Sequence, residues 1–220
     1  MVKWLYFRLF YTMFSGIVAA TGHITKLTPR NDGTPTVRLT INGEKLGLDD
    51  VKVGDSISCH GVCLTVVGKE DPFFYVDVSP ETLSCTIGLD AEGPINLEKS
   101  LRLSDRLGGH LVAGHVDGVG IVIRFDPVGD NRLLEIRAPQ NLAKYIARKG
   151  SITVNGVSLT TNTVKGSCFS INLIPHTLEI TTLGQLQVKD QVNLEIDLIA
   201  RYVERMLNPD SADEQEATHD

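Results

Sequence analysis

The sequence predicts an all-β chain: two homologous small β-barrels in tandem, followed by a C-terminal α-helix. Three observations carry this. The stretch Ser-Ile-Ser-Cys-His-Gly-Val-Cys-Leu-Thr at Ser56 to Thr65 returns as Ser-Ile-Thr-Val-Asn-Gly-Val-Ser-Leu-Thr at Ser151 to Thr160, with six positions identical. At the same offset of 95, Phe74 meets Phe169, Pro80 meets Pro175, and Thr82-Leu83 meets Thr177-Leu178. That period is too long for a solenoid unit and is the length of a small domain. Short apolar runs separated by turn residues fill both copies, the pattern of a small closed barrel. Finally, Ile199, Tyr202, Val203, Met206 and Leu207 fall at i, i+3, i+4, i+7 and i+8, one face of a helix that Pro209 ends.

Residues 1–12 form an extension rich in apolar and aromatic side chains, interrupted by Arg8 and too short for a membrane span. A signal peptide cleaved near Ala20 would remove residues that the second copy repeats. Gly16-Ile17-Val18 and Gly22 correspond to Gly114-His115-Val116 and Gly120 at an offset of 98. The expected working start is therefore Met13. The first barrel is assigned to residues 13–109. Within it, Thr36 to Ile41 alternates, with Val37, Leu39 and Ile41 on one face, and Asn42-Gly43 is a turn pair. The repeated signature reads as a hairpin, because Asn155-Gly156 suits a type I′ turn that needs positive φ at both residues. Side chains alternate along a strand, so Cys63 shares a face with Thr65, and Ser158 with Thr160. Phe73 to Val78 is a further strand. Ser79 and Pro80 then open a short helical turn as cap and first helical residue.

Leu107-Gly108-Gly109-His110 marks the join, and residues 110–197 form the second barrel. There, Pro139 to Lys149 reads as a helix with Leu142, Tyr145 and Ile146 on one side. Phe169 to Leu173 and Gln191 to Asp197 read as strands. Residues 198–208 form the terminal helix, and the polar, acidic residues 209–220 read as a disordered tail.

A net charge of −6 gives no electrostatic reason to bind nucleic acid or an anionic membrane. Cys59, Cys63, Cys85 and Cys168 form no Cys-x-x-Cys pair, and thiols of a cytoplasmic protein are the plain reading. No phosphate loop or dinucleotide fingerprint is present. His110 and His115 lack a third ligand at metal spacing, and one of them is expected simply to hydrogen-bond at the join.

The two copies keep scaffold residues and differ at reactive ones. Cys63 becomes Ser158, Glu81 becomes His176, and Asp197 stands where the first copy has Ser100, because Asn96-Leu97-Glu98 aligns with Asn193-Leu194-Glu195. A duplicated pocket with unequal polar groups suits two similar ligands in unequal roles.

Several separate motifs together resemble the alpha-type riboflavin synthase family. They are Met13-Phe14-Ser15-Gly16-Ile17-Val18, the paired Gly-Val-x-Leu-Thr signatures, Gly108-Gly109-His110-Leu111-x-x-Gly114-His115 and Leu173-Ile174-Pro175-x-Thr177-Leu178. The resemblance runs from Met13 to about Leu207. Ser15 departs from the family's threonine. Family membership implies two six-stranded Greek-key barrels, a C-terminal helix and a homotrimer. The implied reaction is dismutation of two 6,7-dimethyl-8-ribityllumazine molecules by transfer of a four-carbon unit. Its products are riboflavin and 5-amino-6-ribitylaminouracil, and no metal or redox cofactor takes part.

Carried over by position, the functional residues are Ser56, Cys63, Thr65, His115, Ser158 and Asp197. Lys149 matches a lysine that reaches a neighbouring subunit's ligand. The implied substrate cradles are Gly16, Ile17 and Val18; Cys63, Leu64 and Thr65; Asp77, Val78, Ser79, Pro80, Glu81 and Thr82; and Gly114, His115 and Val116. Their second-barrel partners are Ser158, Leu159 and Thr160, with Asn172, Leu173, Ile174, Pro175, His176 and Thr177. Thr65, Thr160, Glu81 and the Asn172 loop offer partners to a ribityl chain. His115 suits the base that takes a methyl proton, since histidine titrates nearest neutral pH. Cys63, Ser158 or water could supply the nucleophile that adds at carbon 7. The family also contains lumazine-binding fluorescent proteins, which lack several of these polar residues.

Overall fold

The structure is a computed structural model that describes residues 12–30 and 33–208. Most of the predicted extension and the acidic tail fall outside the described residues.

The first half forms a closed barrel. Its strands are β1 (Ala20–Pro29), β2 (Val37–Asn42), β3 (Ser56–Cys59), β4 (Val62–Glu70), β5 (Phe73–Val78) and β6 (Gly93–Lys99), in the order β1-β2-β5-β4-β3-β6. The crossed order is the Greek key. Every pairing is antiparallel, and β6 returns to β1 to close the ring. Inward positions alternate along each strand, so Leu39, Ile41, Ile57, Phe74, Val76, Ile95 and Leu97 share one dry core. A short helix, α1 (Pro80–Cys85), follows β5 with Ser79 as its cap, as the sequence predicts.

The second half repeats this path with one difference. Its strands are β7 (Gly118–Val128), β8 (Asn131–Arg137), β9 (Ser151–Val154), β10 (Val157–Thr160), β11 (Thr163–Lys165), β12 (Cys168–Leu173) and β13 (Gln191–Ile196). They form a seven-stranded sheet in the order β10-β9-β13-β7-β8-β12-β11. The counterpart of β4 is broken into β10 and β11, which end the sheet on either side, and this break raises the six strands of the repeat to seven. The break falls at Thr161-Asn162, where the first copy has its β-bulge between Val66 and Gly68. Thr161 turns fully inward, its N–H bonding Gly150 O and its hydroxyl donating to Ala147 O. A hydroxyl held by the neighbouring loop replaces Val66 of the first copy and interrupts the ladder. Asn162 N–H still reaches Ser170 O at 2.7 Å, so the chain continues along the same circuit.

One expectation is corrected, the helix from Pro139 to Lys149. Only Gln140–Tyr145 is helical, and it is a 3-10 turn. Leu142 and Ile146 are buried as their spacing requires, which one tight turn achieves. Helix α2 (Pro175–Ile180) follows β12 and mirrors α1, and α3 (Leu198–Leu207) follows β13 and matches its predicted span. No described helix is long and apolar enough to cross a membrane.

An approximate two-fold axis relates the halves, and their hairpin tips meet on it. His60-Gly61 and Asn155-Gly156 all have positive φ, as a type I′ turn demands. Asn96 Nδ2 donates to Asn155 O at 2.9 Å and its Oδ1 accepts from Thr182 N. Reciprocally, Asn193 Nδ2 donates to His60 O at 3.0 Å and its Oδ1 accepts from Ile87 N. These asparagines sit on the outer faces of β6 and β13, which the opposite barrel covers. That is why both faces of these strands are buried and why the outer face is polar but paired.

Candidate active site

Each barrel carries a strap that lies on the other one. Phe14 and Val112 pair as an antiparallel bridge between the two straps. At one end Gly114 O accepts Cys63 N–H at 2.8 Å; at the other, Gly16 O accepts Ser158 N–H at 2.7 Å. Val18 accordingly packs in the second core and Val116 against the first. The exchange divides the predicted site residues into two cradles at opposite ends of the Phe14–Val112 bridge.

The first cradle gathers Gly114, His115 and Val116 with Cys63, Leu64 and Thr65. β3 pairs Ser56 with Thr65 and Ser58 with Cys63, and β5 brings Asp77 alongside. A cleft of about 610 Å³ opens here, lined by Cys63, Ala113, His115, Asp117, Arg201 and Tyr202 among others. Burial pushes the Cys63 thiol up from its ordinary range, opposed by a hydrogen bond from Ser56. Ser56 Oγ also lies 3.2 Å from Thr12 Oγ1, which brings the last residue of the predicted extension to the site. Arg38 grips Asp77 with two bonds of 2.7 and 2.9 Å and Arg30 adds a third, holding its carboxyl below the usual range. Asp77 is thus tied to its own barrel wall. Asn172 takes the equivalent place in β12, opposite Leu133, without that ion cluster. Leu64 and Val78 point into the core, so only their backbone can meet a ligand.

The second cradle gathers Gly16, Ile17 and Val18 with Ser158, Leu159 and Thr160, and with Asn172 to Thr177 at the end of β12 and start of α2. Ile17, Thr160, Asn172, Ile174, Pro175 and His176 are exposed, while Leu173 is a core residue. Ser158 Oγ lies 2.7 Å from His110 Nδ1, so His110 is the histidine that hydrogen-bonds at the join. Lys149 is exposed, with Nζ on Asn162 Oδ1 at 2.9 Å.

Asp197 stands at the start of α3. Its Oδ1 caps α3 by accepting Ile199 N–H at 2.9 Å. Burial lowers the pKa of His110, and the negative charge of Asp197 opposes that shift.

Two buried carboxylates escaped the sequence reading. Glu98 accepts Ser15 N–H, Ser15 Oγ–H and Gly16 N–H at 2.6 to 2.9 Å. Glu195 accepts the N–H groups of Ala113, Gly114 and His115 at 2.7 to 3.1 Å. Each carboxylate fixes one strap, and Glu195 fixes the loop that carries His115. Burial pushes Glu195 up to about 7, against the three amides that favour its charge. The aligned Asn-Leu-Glu triplets were the available signal, but an acid on a strand end is ordinarily a surface group.

The model of the lumazine binding domain matches twice, over residues 15–100 and 113–197. The chain is 41% identical over 207 residues to the riboflavin synthase of Photobacterium phosphoreum, covering 93% of this chain and 94% of that enzyme. It is 42% identical over 201 residues to the riboflavin synthase of Mycobacterium tuberculosis (strain H37Rv), covering 89% and 98%. Among solved structures, LumP complexed with riboflavin aligns with a TM-score of 0.73 at 31% identity, covering 83% of this chain and 98% of that one. LumP complexed with 6,7-dimethyl-8-(1'-D-ribityl) lumazine aligns with a TM-score of 0.72 at 28% identity and the same coverage.

Proposed function

Because the chain belongs to the riboflavin synthase family of tandem lumazine-binding barrels, we propose that it forms riboflavin from two molecules of 6,7-dimethyl-8-ribityllumazine. One molecule passes a four-carbon unit to the other and leaves as 5-amino-6-ribitylaminouracil. The observation that carries this reading is the pair of like but unequal cradles. A reaction between two copies of one substrate needs two similar sites with different chemistry, and Cys63 with His115 in one faces Ser158 with His110 in the other. His115 serves as the base for the 7-methyl proton of the lumazine in the first cradle, held there by Glu195.

Within one chain the cradles lie at opposite ends of the bridged straps. The reacting pair of lumazines therefore belongs to two chains, the first barrel of one facing the second barrel of another. Helix α3 supports this arrangement. Arg201 anchors it to Asp117 at 2.7 Å beside the first cradle, while Ile199, Tyr202, Val203, Met206 and Leu207 stay exposed. Three such helices meeting in a homotrimer would bury that face. Lys149 then acts across the interface. The four cysteines are free, which suits the cytoplasm.

Absorbance at the riboflavin band, with the dimethyl lumazine as sole reactant, tests the reading. Riboflavin and the aminouracil in equal amounts are expected. Tight binding without turnover would make the chain a lumazine-holding protein instead, the reading that its likeness to the LumP complexes favours.

A further inference from the structure

Thr12 is the last residue of the predicted extension, yet it stands inside the first cradle. With Met13 it lines the cleft of about 610 Å³ that also holds Cys63 and His115. Its Oγ1 lies 3.2 Å from Ser56 Oγ. The backbone builds this contact from both sides. Phe14 is fully buried and joined to Val112 by two backbone bonds of 2.7 and 3.0 Å, which fixes the strap just after Thr12. Two successive amides beyond β6 then hold the strap beside β3. Ser100 N–H donates to Ser56 O at 3.3 Å, and Leu101 N–H donates to Met13 O at 2.8 Å. By the offset that relates Gly16 to Gly114, Thr12 stands where the second strap has His110, whose side chain also reaches into its cradle.

Ser56 opposes Thr65 and Ser58 opposes Cys63, so Ser56 lies diagonally across the β3–β4 pair from Cys63. Its hydrogen bond favours the Cys63 thiolate, whereas burial and the charge of Glu195 keep the thiol protonated. A serine hydroxyl has one proton and two lone pairs. With Thr12 donating to a lone pair of Ser56, the single Ser56 proton is left for Cys63. β-Branching restricts the Thr12 side chain to few rotamers, so the donor is held in place.

We propose that Thr12 is a positioning residue of the first cradle, directing the Ser56 hydroxyl onto Cys63. Its effect on turnover rests on the reading of function above; its effect on the thiol rests on the geometry alone. A chain starting at Met13 has no hydroxyl at this place and carries an α-amino group next to it. The working site thus extends one residue ahead of the repeat.

Iodoacetamide alkylation of Cys63, followed by peptide mass in the ligand-free full chain at mildly alkaline pH, reads the thiolate directly. Thr12→Val keeps the shape of the side chain and removes the hydroxyl. It should slow alkylation about 3- to 10-fold and lower kcat by a similar factor, as the loss of one hydrogen bond does. KM should stay within about threefold of wild type, because the site is still occupied but misaligned. Thr12→Ser should restore both rates. Ser56→Ala should lose at least as much as Thr12→Val, and adding Thr12→Val to it should cost nothing further. Wild-type alkylation in Thr12→Val, a Thr12→Ser variant no better than Thr12→Val, or additive losses in the double variant would overturn the proposal. A wild-type chain that binds the lumazine without turning it over overturns the functional reading instead. The alkylation rates, measured without ligand, decide the role of Thr12 in either case.

Discussion

Gly61 and Gly156 touch across the two-fold axis: a Cβ on either would lie 2.8 Å from the other's backbone nitrogen. Both also have φ above +80°. The glycine shared by the two signatures is thus required twice over, by its own turn and by the opposite tip. Gly61→Ala and Gly156→Ala should each destabilise the fold by roughly 3 kcal/mol, from left-handed strain plus the clash. Gly166→Ala, at φ +60 with nothing within 4 Å of the added carbon, is the control and should cost about 1 kcal/mol. Denaturant midpoints decide the matter, and equal losses at all three would show that the tips part freely.

His60 sits on the same axis, buried, with Nδ1 accepting from Asn96 N, and desolvation lowers its pKa from 6.5 to about 4. Between those values the unfolded chain takes a proton that the folded chain refuses. Stability is therefore full above pH 6.5 and falls as the pH drops towards 4, by roughly 3 kcal/mol. Asn155 fills the equivalent place in the second copy, so His60→Asn should fold and should flatten this slope. An unchanged slope in thermal melts from pH 7 to 4.5 would assign the acid lability to other groups.

At the asymmetric head groups, Cys63→Ser should lower turnover while leaving some, because a hydroxyl can replace the thiol's bond to Ser56. Asp197→Ala should lose more turnover, since it removes the charge that supports protonated His110. It also removes the α3 cap, at about 1 kcal/mol of stability. Cys168→Ser, at the start of β12 and outside both cradles, should be near neutral. Steady-state rates with parallel melts separate the two effects of Asp197, and negligible rate losses at both Cys63 and Asp197 would refute these roles.

Charged replacements on α3, Tyr202→Glu with Met206→Glu, should give a folded monomer that binds lumazine but turns over poorly. Both side chains are exposed, at 61% and 80%, so the single chain loses little packing. Light scattering reports the mass and absorbance the rate. A monomer with full activity would rule out a site shared between chains.

The sequence by itself determined what repeats and what periodicity encode. Period-two runs placed β5 to the residue, the 3.6-residue stripe placed α3, and the Ser79-Pro80 pair placed α1, because each depends on local backbone preference and one buried face. The repeat also exposed which head groups differ, Cys63 against Ser158. What only tertiary structure decided is how the halves meet. Which strap lies on which barrel has no local signal, so the pairing of Gly114 with Cys63 and of Gly16 with Ser158 could not be read from spacing. The buried roles of Glu98 and Glu195 stayed hidden for the same reason. Each is covered by a strap whose path has no local signal, and a polar residue on a strand's outer face looks solvated until a neighbour covers it. The interrupted strand at Thr161 likewise turns on one hydroxyl reaching a carbonyl fourteen residues earlier in the chain, a contact that exists only once the loop has folded against it.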